Sequence, residues 1–293
     1  MNSILQSSGN YFDSFFNAKK VRKVELLILR VAVIAFILHL LVIFLGNNFV
    51  YFKHFQHSYL KAIYTPFSFI LFYEVILLVI IIPKSISEFI GKQFEVITLI
   101  TLRSFFHDIA DLDLKNSINL NNHEFISLLY DLGASLLMLA FTILYYKIYQ
   151  NNRKSEIHGE LNNFINIKKL VSLSMILVLM LLSVSSLFNW SKEMLQALQL
   201  DQNYPDPNTV FYADFFSIMI FVDVLLLIIS FIYHFSFFTI FRNASFIITT
   251  ILIRMSLTIE KPMNYILIMI GFLFAILSFY LYSLRNVTPK STD

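Results

Sequence analysis

Residues 66–83 read PFSFILFYEVILLVIIIP, a run in which a single charged residue, Glu74, interrupts an almost wholly apolar stretch. A helix on the surface of a water-soluble protein carries a polar face opposite its apolar one, and this run has none. Its length instead matches the roughly 20 residues of helix that cross the hydrocarbon core of a bilayer. Glu74 stands out for the same reason, since a carboxylate at that depth needs a partner or water.

Comparable runs occur at about 24–46, 94–111, 125–148, 169–190, 214–237, 243–259 and 264–284, which makes eight expected spans. The third and seventh are short and carry the most polar groups. Composition agrees: 57% of the 293 residues are hydrophobic and 14% charged, with mean hydropathy +0.70, against about 25% charged in ordinary soluble chains. The absence of cysteine excludes disulfide frameworks, thiolate metal sites and cysteine nucleophiles. The first apolar run is long and lacks a small-residue cleavage site, and reads as a retained helix.

Orientation follows from the distribution of Lys and Arg. With both termini cytoplasmic, 14 of these residues fall inside and 5 outside, and Arg30, Arg103 and Arg254 lie within spans. Removing one span would invert every later loop and spoil the asymmetry. Residues 1–18 form a polar arm with scattered Phe, either loose or interfacial, ahead of the cluster Lys19, Lys20, Arg22, Lys23. The outward stretches 47–65 and 191–213 mix aromatic and polar residues, as helices lying in the interface plane do.

The chain carries an internal repeat. At an offset of 149, Phe67, Ser68, Phe72, Val75, Leu77, Leu78, Ile80, Ser87 and Phe89 meet identical residues, and Glu74 meets Asp223. Beyond a two-residue insertion, Thr98, Ile100 and Arg103 meet Thr249, Ile251 and Arg254. The expected architecture is therefore an all-α integral membrane protein of about eight transmembrane helices in two tandem four-helix repeats. An even number of spans per repeat makes the repeats parallel. The arm is 1–18, the first repeat 19–150, the cytoplasmic connector 151–168 and the second repeat 169–293.

Counting from the expected span ends, Glu74 lies about 12 Å below the outer face and Arg103 about 15 Å above the inner face, at 1.5 Å per residue. That depth match predicts a Glu74–Arg103 pair and, by the same count, an Asp223–Arg254 pair. Such pairs either line a polar pathway or fix helix register. Asp131 in the fourth span, Glu95 at the inner start of the third and His39 in the first are further candidates, as is His234 near the inner end of the sixth. A histidine can titrate near neutral pH, although one packed on a helix with a single hydrogen bond needs no other role. The serines of the fifth span, Ser172 among them, suit close helix packing. Tyr145, Tyr146 and Tyr149 suit an interfacial belt.

Other chemistry finds no foothold. Phosphate-binding, nucleophile-elbow, zinc-protease and dinucleotide motifs are absent, and six glycines are too few for Gly-rich cradles. No catalytic residue, metal site or cofactor is expected. The outward cluster His107, Asp108, Asp111, Asp113 and Glu124 reads as a solvated loop, and His54 with His57 lacks a third ligand. The basic segments follow the positive-inside rule and call for no nucleic acid. An acid on one helix facing an Arg on another loosely resembles a voltage-sensing domain. Such a domain, however, carries Arg or Lys at every third position of its fourth helix, where these spans have Arg103 and Arg254 alone, and no TVGYG filter is present.

The expected function is non-enzymatic: an ion channel or an ion- or proton-coupled transporter, as a single chain or a homo-oligomer. The alternative is a non-transporting sensor, accessory subunit or defence or stress effector whose basic connector docks a cytoplasmic protein. Beyond that protein, the partners are the lipid bilayer and ions or protons.

Overall fold

The computed structural model describes residues 2–48, 59–111, 123–156, 162–200, 209–233 and 236–285, and among these there are helices, turns and no strand. The helices are α1 (Asn2–Phe15), α2 (Ala18–Asn48), α3 (Tyr64–Ile80), α4 (Ile86–Asp111), α5 (His123–Glu156), α6 (Asn162–Leu200), α7 (Thr209–Tyr233), α8 (Phe237–Ser256) and α9 (Met263–Arg285). Among the described residues six segments are long and apolar enough to cross a membrane: 18–48, 125–151, 163–189, 214–232, 237–256 and 263–284. The chain is thus an α-helical multi-pass membrane protein.

Several boundaries differ from expectation for identifiable reasons. α3 stops at Ile80 and gives way to a turn, with Ile82 N donating to Val79 O and Lys84 N to Ile81 O. α4 then begins at Ile86, eight residues ahead of the expected span, because Ser85 caps it. The Ser85 hydroxyl accepts the Glu88 N–H at 3.1 Å, in a Ser-x-x-Glu arrangement typical of helix starts. The residues 1–18 arm is largely the helix α1, and α6 continues through Leu200 into the stretch expected to lie in the interface. Most of the 151–168 connector is also helical, as the end of α5 and the start of α6.

Two compact units emerge, one of residues 13–78 with 91–147, the other of 1–12, 79–90 and 148–293. In the first, Leu71, Val75, Leu78, Phe94, Val96, Ile97, Met138 and Tyr145 build the core between α3, α4 and α5. Thr98 and Thr142 meet hydroxyl to hydroxyl at 3.4 Å, Phe94 meets Tyr145 edge-on at 5.1 Å, and Phe67 stacks on Phe106 at 4.2 Å. α2 buries little beyond Ala32, Ile43 and Gly46 and leaves the rest of its apolar surface outward, as a lipid-facing helix does.

In the second unit, α6 presents a buried stripe of Phe164, Lys168, Ser172, Met175 and Leu179 at helical spacing. Lys168 Nζ donates to the Lys84 carbonyl at 2.9 Å and Ser172 Oγ to the Val79 carbonyl at 2.7 Å, so two residues one turn apart on α6 hold the segment that joins α3 to α4. α7 buries Phe215, Met219, Asp223, Leu226 and Ser230. α8 and α9 pack along one another, with Phe279 ringed by Tyr149, Phe246 and Tyr282. The polar residues that weaken the hydropathy of α8, including Arg242, Asn243, Thr249, Thr250 and Arg254, lie on its buried face.

Candidate functional site

The first unit holds a chain of polar groups built on three helices. Glu74, on α3, has Oε2 2.5 Å from Lys92 Nζ on α4. The same ammonium lies 2.7 Å from Oε2 of Glu95, one turn further along α4. The other Glu95 oxygen accepts the Tyr146 hydroxyl of α5 at 2.7 Å. One cation is therefore shared by two carboxylates, and a phenol closes the chain. Side-chain exposure is 15% at Glu74, 11% at Lys92 and 37% at Glu95, so the chain leads outward from a nearly buried acid. Glu25, on α2, bears on the neighbouring Tyr73 hydroxyl, as does Glu74.

The expected Glu74–Arg103 pair is corrected here: the cation against Glu74 is Lys92. Glu74 lies six residues before the end of α3 and Lys92 six residues after the start of α4, so both stand about 9 Å from the connecting turn. Arg103 stands about 26 Å from it on the same scale, is half-buried and makes other contacts. The expected depth failed because residues 86–93, polar in sequence, were read as loop. Gly91 completes the site. A Cβ there would lie 2.9 Å from the Tyr146 hydroxyl and from Cζ of its ring, so any larger residue would make the phenol shift from its place against Glu95. Gln93, beside Lys92 in sequence, is buried with its amide nitrogen lacking a partner among the described residues.

The second unit holds an acid–Arg pair. Arg254 Nη1 is 2.7 Å from Asp223 Oδ2, with side-chain exposures of 3% and 1%. Asp223 stands ten residues before the end of α7 and Arg254 seventeen after the start of α8, so helix crossing and the reach of the arginine, beyond register alone, bring them together. The pair is close, but its N–H direction misses the oxygen, and Arg254 Nη2 finds no acceptor among the described residues. On the same helix Arg242 lies over the Tyr282 ring at 4.5 Å and bonds the Asn243 carbonyl oxygen at 3.1 Å, and Asn243 in turn reaches Ser230.

The remaining candidates are dispersed. His39 Nδ1 is 2.6 Å from Thr65 Oγ1, a hydrogen bond tying α2 to α3. Asp131 is fully buried on α5 and engaged. Asp108 accepts Ser127 Oγ at 2.8 Å and lies 3.6 Å from His107. His54, His57, Asp113 and His234, and the side chains of Asp111 and Glu124, lie outside the described residues. Among the described residues no group of three or more His, Asp or Glu is placed to hold a metal. Tyr145 and Tyr149, expected in an interfacial belt, are buried in protein instead, and Tyr146 serves Glu95.

Lys92 and Tyr146 were missed as site residues, yet a signal existed. SISE at 85–88 is a helix-start pattern, and extending α4 back to it puts Lys92 and Glu95 on one face. No protein-family model, curated protein or solved structure matches the chain.

Proposed function

We propose that the chain is a transport-class membrane protein, a channel or a proton- or ion-coupled carrier, and that Glu74, Lys92, Glu95 and Tyr146 form its polar pathway. The observation that carries this reading is the identity of the cation. A lysine ammonium can give up a proton when its surroundings change, whereas an arginine guanidinium stays charged. Glu74 faces the lysine. The Glu74–Lys92–Glu95 chain therefore has the chemistry of a relay, while Asp223–Arg254 has that of a permanent pair that holds α7 on α8.

The architecture that accompanies this function is eight spans with both termini cytoplasmic, made of α2–α5 and α6–α9 as parallel repeats. α3, an apolar helix of 17 residues, covers about 25 Å and needs little tilt or bilayer thinning. α4 is long enough at 26 residues, and its polar start, with Ser87, Lys92 and Gln93, is buried in protein instead of facing lipid. The acid meeting an acid at 74 and 223 supports duplication. Lys92 falls where the insertion between the halves must be placed, opposite 241–243, a stretch that contains Arg242.

A second reading is favoured by the sealing of Asp223 and Arg254, since a pair closed to water conducts nothing. It makes the chain a non-transporting sensor, accessory subunit or membrane effector of a defence or stress system acting through a cytoplasmic protein. Ion and proton flux into liposomes separates the two. On the transport reading, Glu74→Gln and Lys92→Met abolish or uncouple flux in folded protein, and Asp223→Asn affects only stability. Absence of flux in the wild type under pH, voltage and ion gradients would leave the second reading.

A further inference from the structure

We propose that the end of α1, from residue 13, and the start of α2 form a docking surface for anionic phospholipid headgroups in the leaflet that α2 enters first. α1 ends at Phe15, the chain breaks at residues 16 and 17, and α2 begins at Ala18, its first turn closed by Lys20 and Val21 N–H groups on the Asn17 carbonyl. From there α2 runs unbroken to Asn48 as a candidate span. Lys19, Lys20, Arg22 and Lys23 are all exposed on its first turns, and the next residues, Val24, Leu26 and Leu27, expose apolar surface. Four cations thus stand at the edge of a hydrocarbon-facing surface, where headgroups of that leaflet lie.

α1 adds the complementary chemistry. Its Phe15 is 61% exposed. The Lys20 ammonium bonds the Ser14 carbonyl at 2.6 Å and lies 5.7 Å from the Phe15 ring, so cation and aromatic share one patch. An exposed ring beside several cations matches a surface that inserts an aromatic at headgroup depth and attracts negative lipid. A protein partner would leave unexplained why the patch is continuous with the lipid-facing surface of α2.

The chain has no cysteine, so Ser14→Cys gives a unique, exposed site beside the ring of Phe15. Full-length protein labelled there with bimane is placed in phosphatidylcholine nanodiscs with and without about one-third phosphatidylglycerol, the anionic component that draws juxtamembrane cations. The expected result is blue-shifted emission and reduced quenching by neutral acrylamide in the anionic discs. Both changes should disappear in about 0.5 M salt, which shortens the screening length to a few ångströms. They should also disappear in K19Q/K20Q/R22Q/K23Q, and Phe15→Ala should lose the blue shift. Equal emission and quenching in the two lipids, or lipid dependence that survives salt, would overturn the proposal. The salt series needs no charge substitution, so it decides the matter even if the quadruple variant does not fold.

Discussion

Removing Arg254 should unsettle the helices around it far more than removing both members of its pair. In Arg254→Met, Asp223 keeps its buried position at 1% exposure but loses the guanidinium 2.7 Å away. A buried ion left without its partner costs about 3–5 kcal/mol. Asp223→Asn leaves the guanidinium equally buried with no charge to meet it and should cost a similar amount. The double change Asp223→Leu/Arg254→Met removes both desolvated charges. The contact is poorly aligned and Arg254 Nη2 has no acceptor among the described residues, so the pair recovers little of what its burial costs. The double variant is therefore expected between neutral and about 4 kcal/mol more stable than the wild type. Thermal unfolding in detergent micelles gives the readout. The single variants should fall by on the order of 10 °C, taking roughly 2–4 °C per kcal/mol for a chain of this size. A double variant that loses the sum of the two single losses, or single variants within about 1 kcal/mol of wild type, would refute the reasoning.

Gly91→Ala should drive the Tyr146 hydroxyl off Glu95, because the new Cβ would meet the ring at 2.9 Å. On the transport reading its flux should match that of Tyr146→Phe, which loses the same hydrogen bond without crowding; a wild-type rate in both would remove Tyr146 from the pathway. Lys168→Met strips a donor from the Lys84 carbonyl in the turn after α3, and Ser172→Ala strips one of two donors from the Val79 carbonyl, which keeps the Ile82 N–H. Lys168→Met should cost about 1.5–3 kcal/mol, the net worth of a charged donor, and Ser172→Ala about 0.5–1.5 kcal/mol, seen as faster amide exchange over residues 79–90, and unchanged exchange there would show that the clamp holds nothing.

The amino-acid sequence by itself determined that this is a helical membrane protein, because runs such as 66–83 and 264–284 have no water-compatible face and lipid leaves the backbone few alternatives to a helix. It also flagged Glu74, Asp223 and Arg254, since charge within an apolar run is conspicuous at any register. It did not determine which cation meets Glu74. That choice depended on where the turn after α3 falls, and a shift of a few residues there moves every depth on α4 by several ångströms. The SISE cap was legible, but hydropathy masked it, because Ser87, Lys92 and Gln93 read as loop when their burial in protein cannot be seen. Only the tertiary structure decided that Lys92 is shared by two glutamates, that Gly91 makes room for Tyr146, and that Asp223 and Arg254 are sealed from water. Each of these depends on which side of a helix faces protein and which faces lipid. For helices as evenly apolar as α3 and α7 the sequence pattern marks that division weakly, and packing sets it.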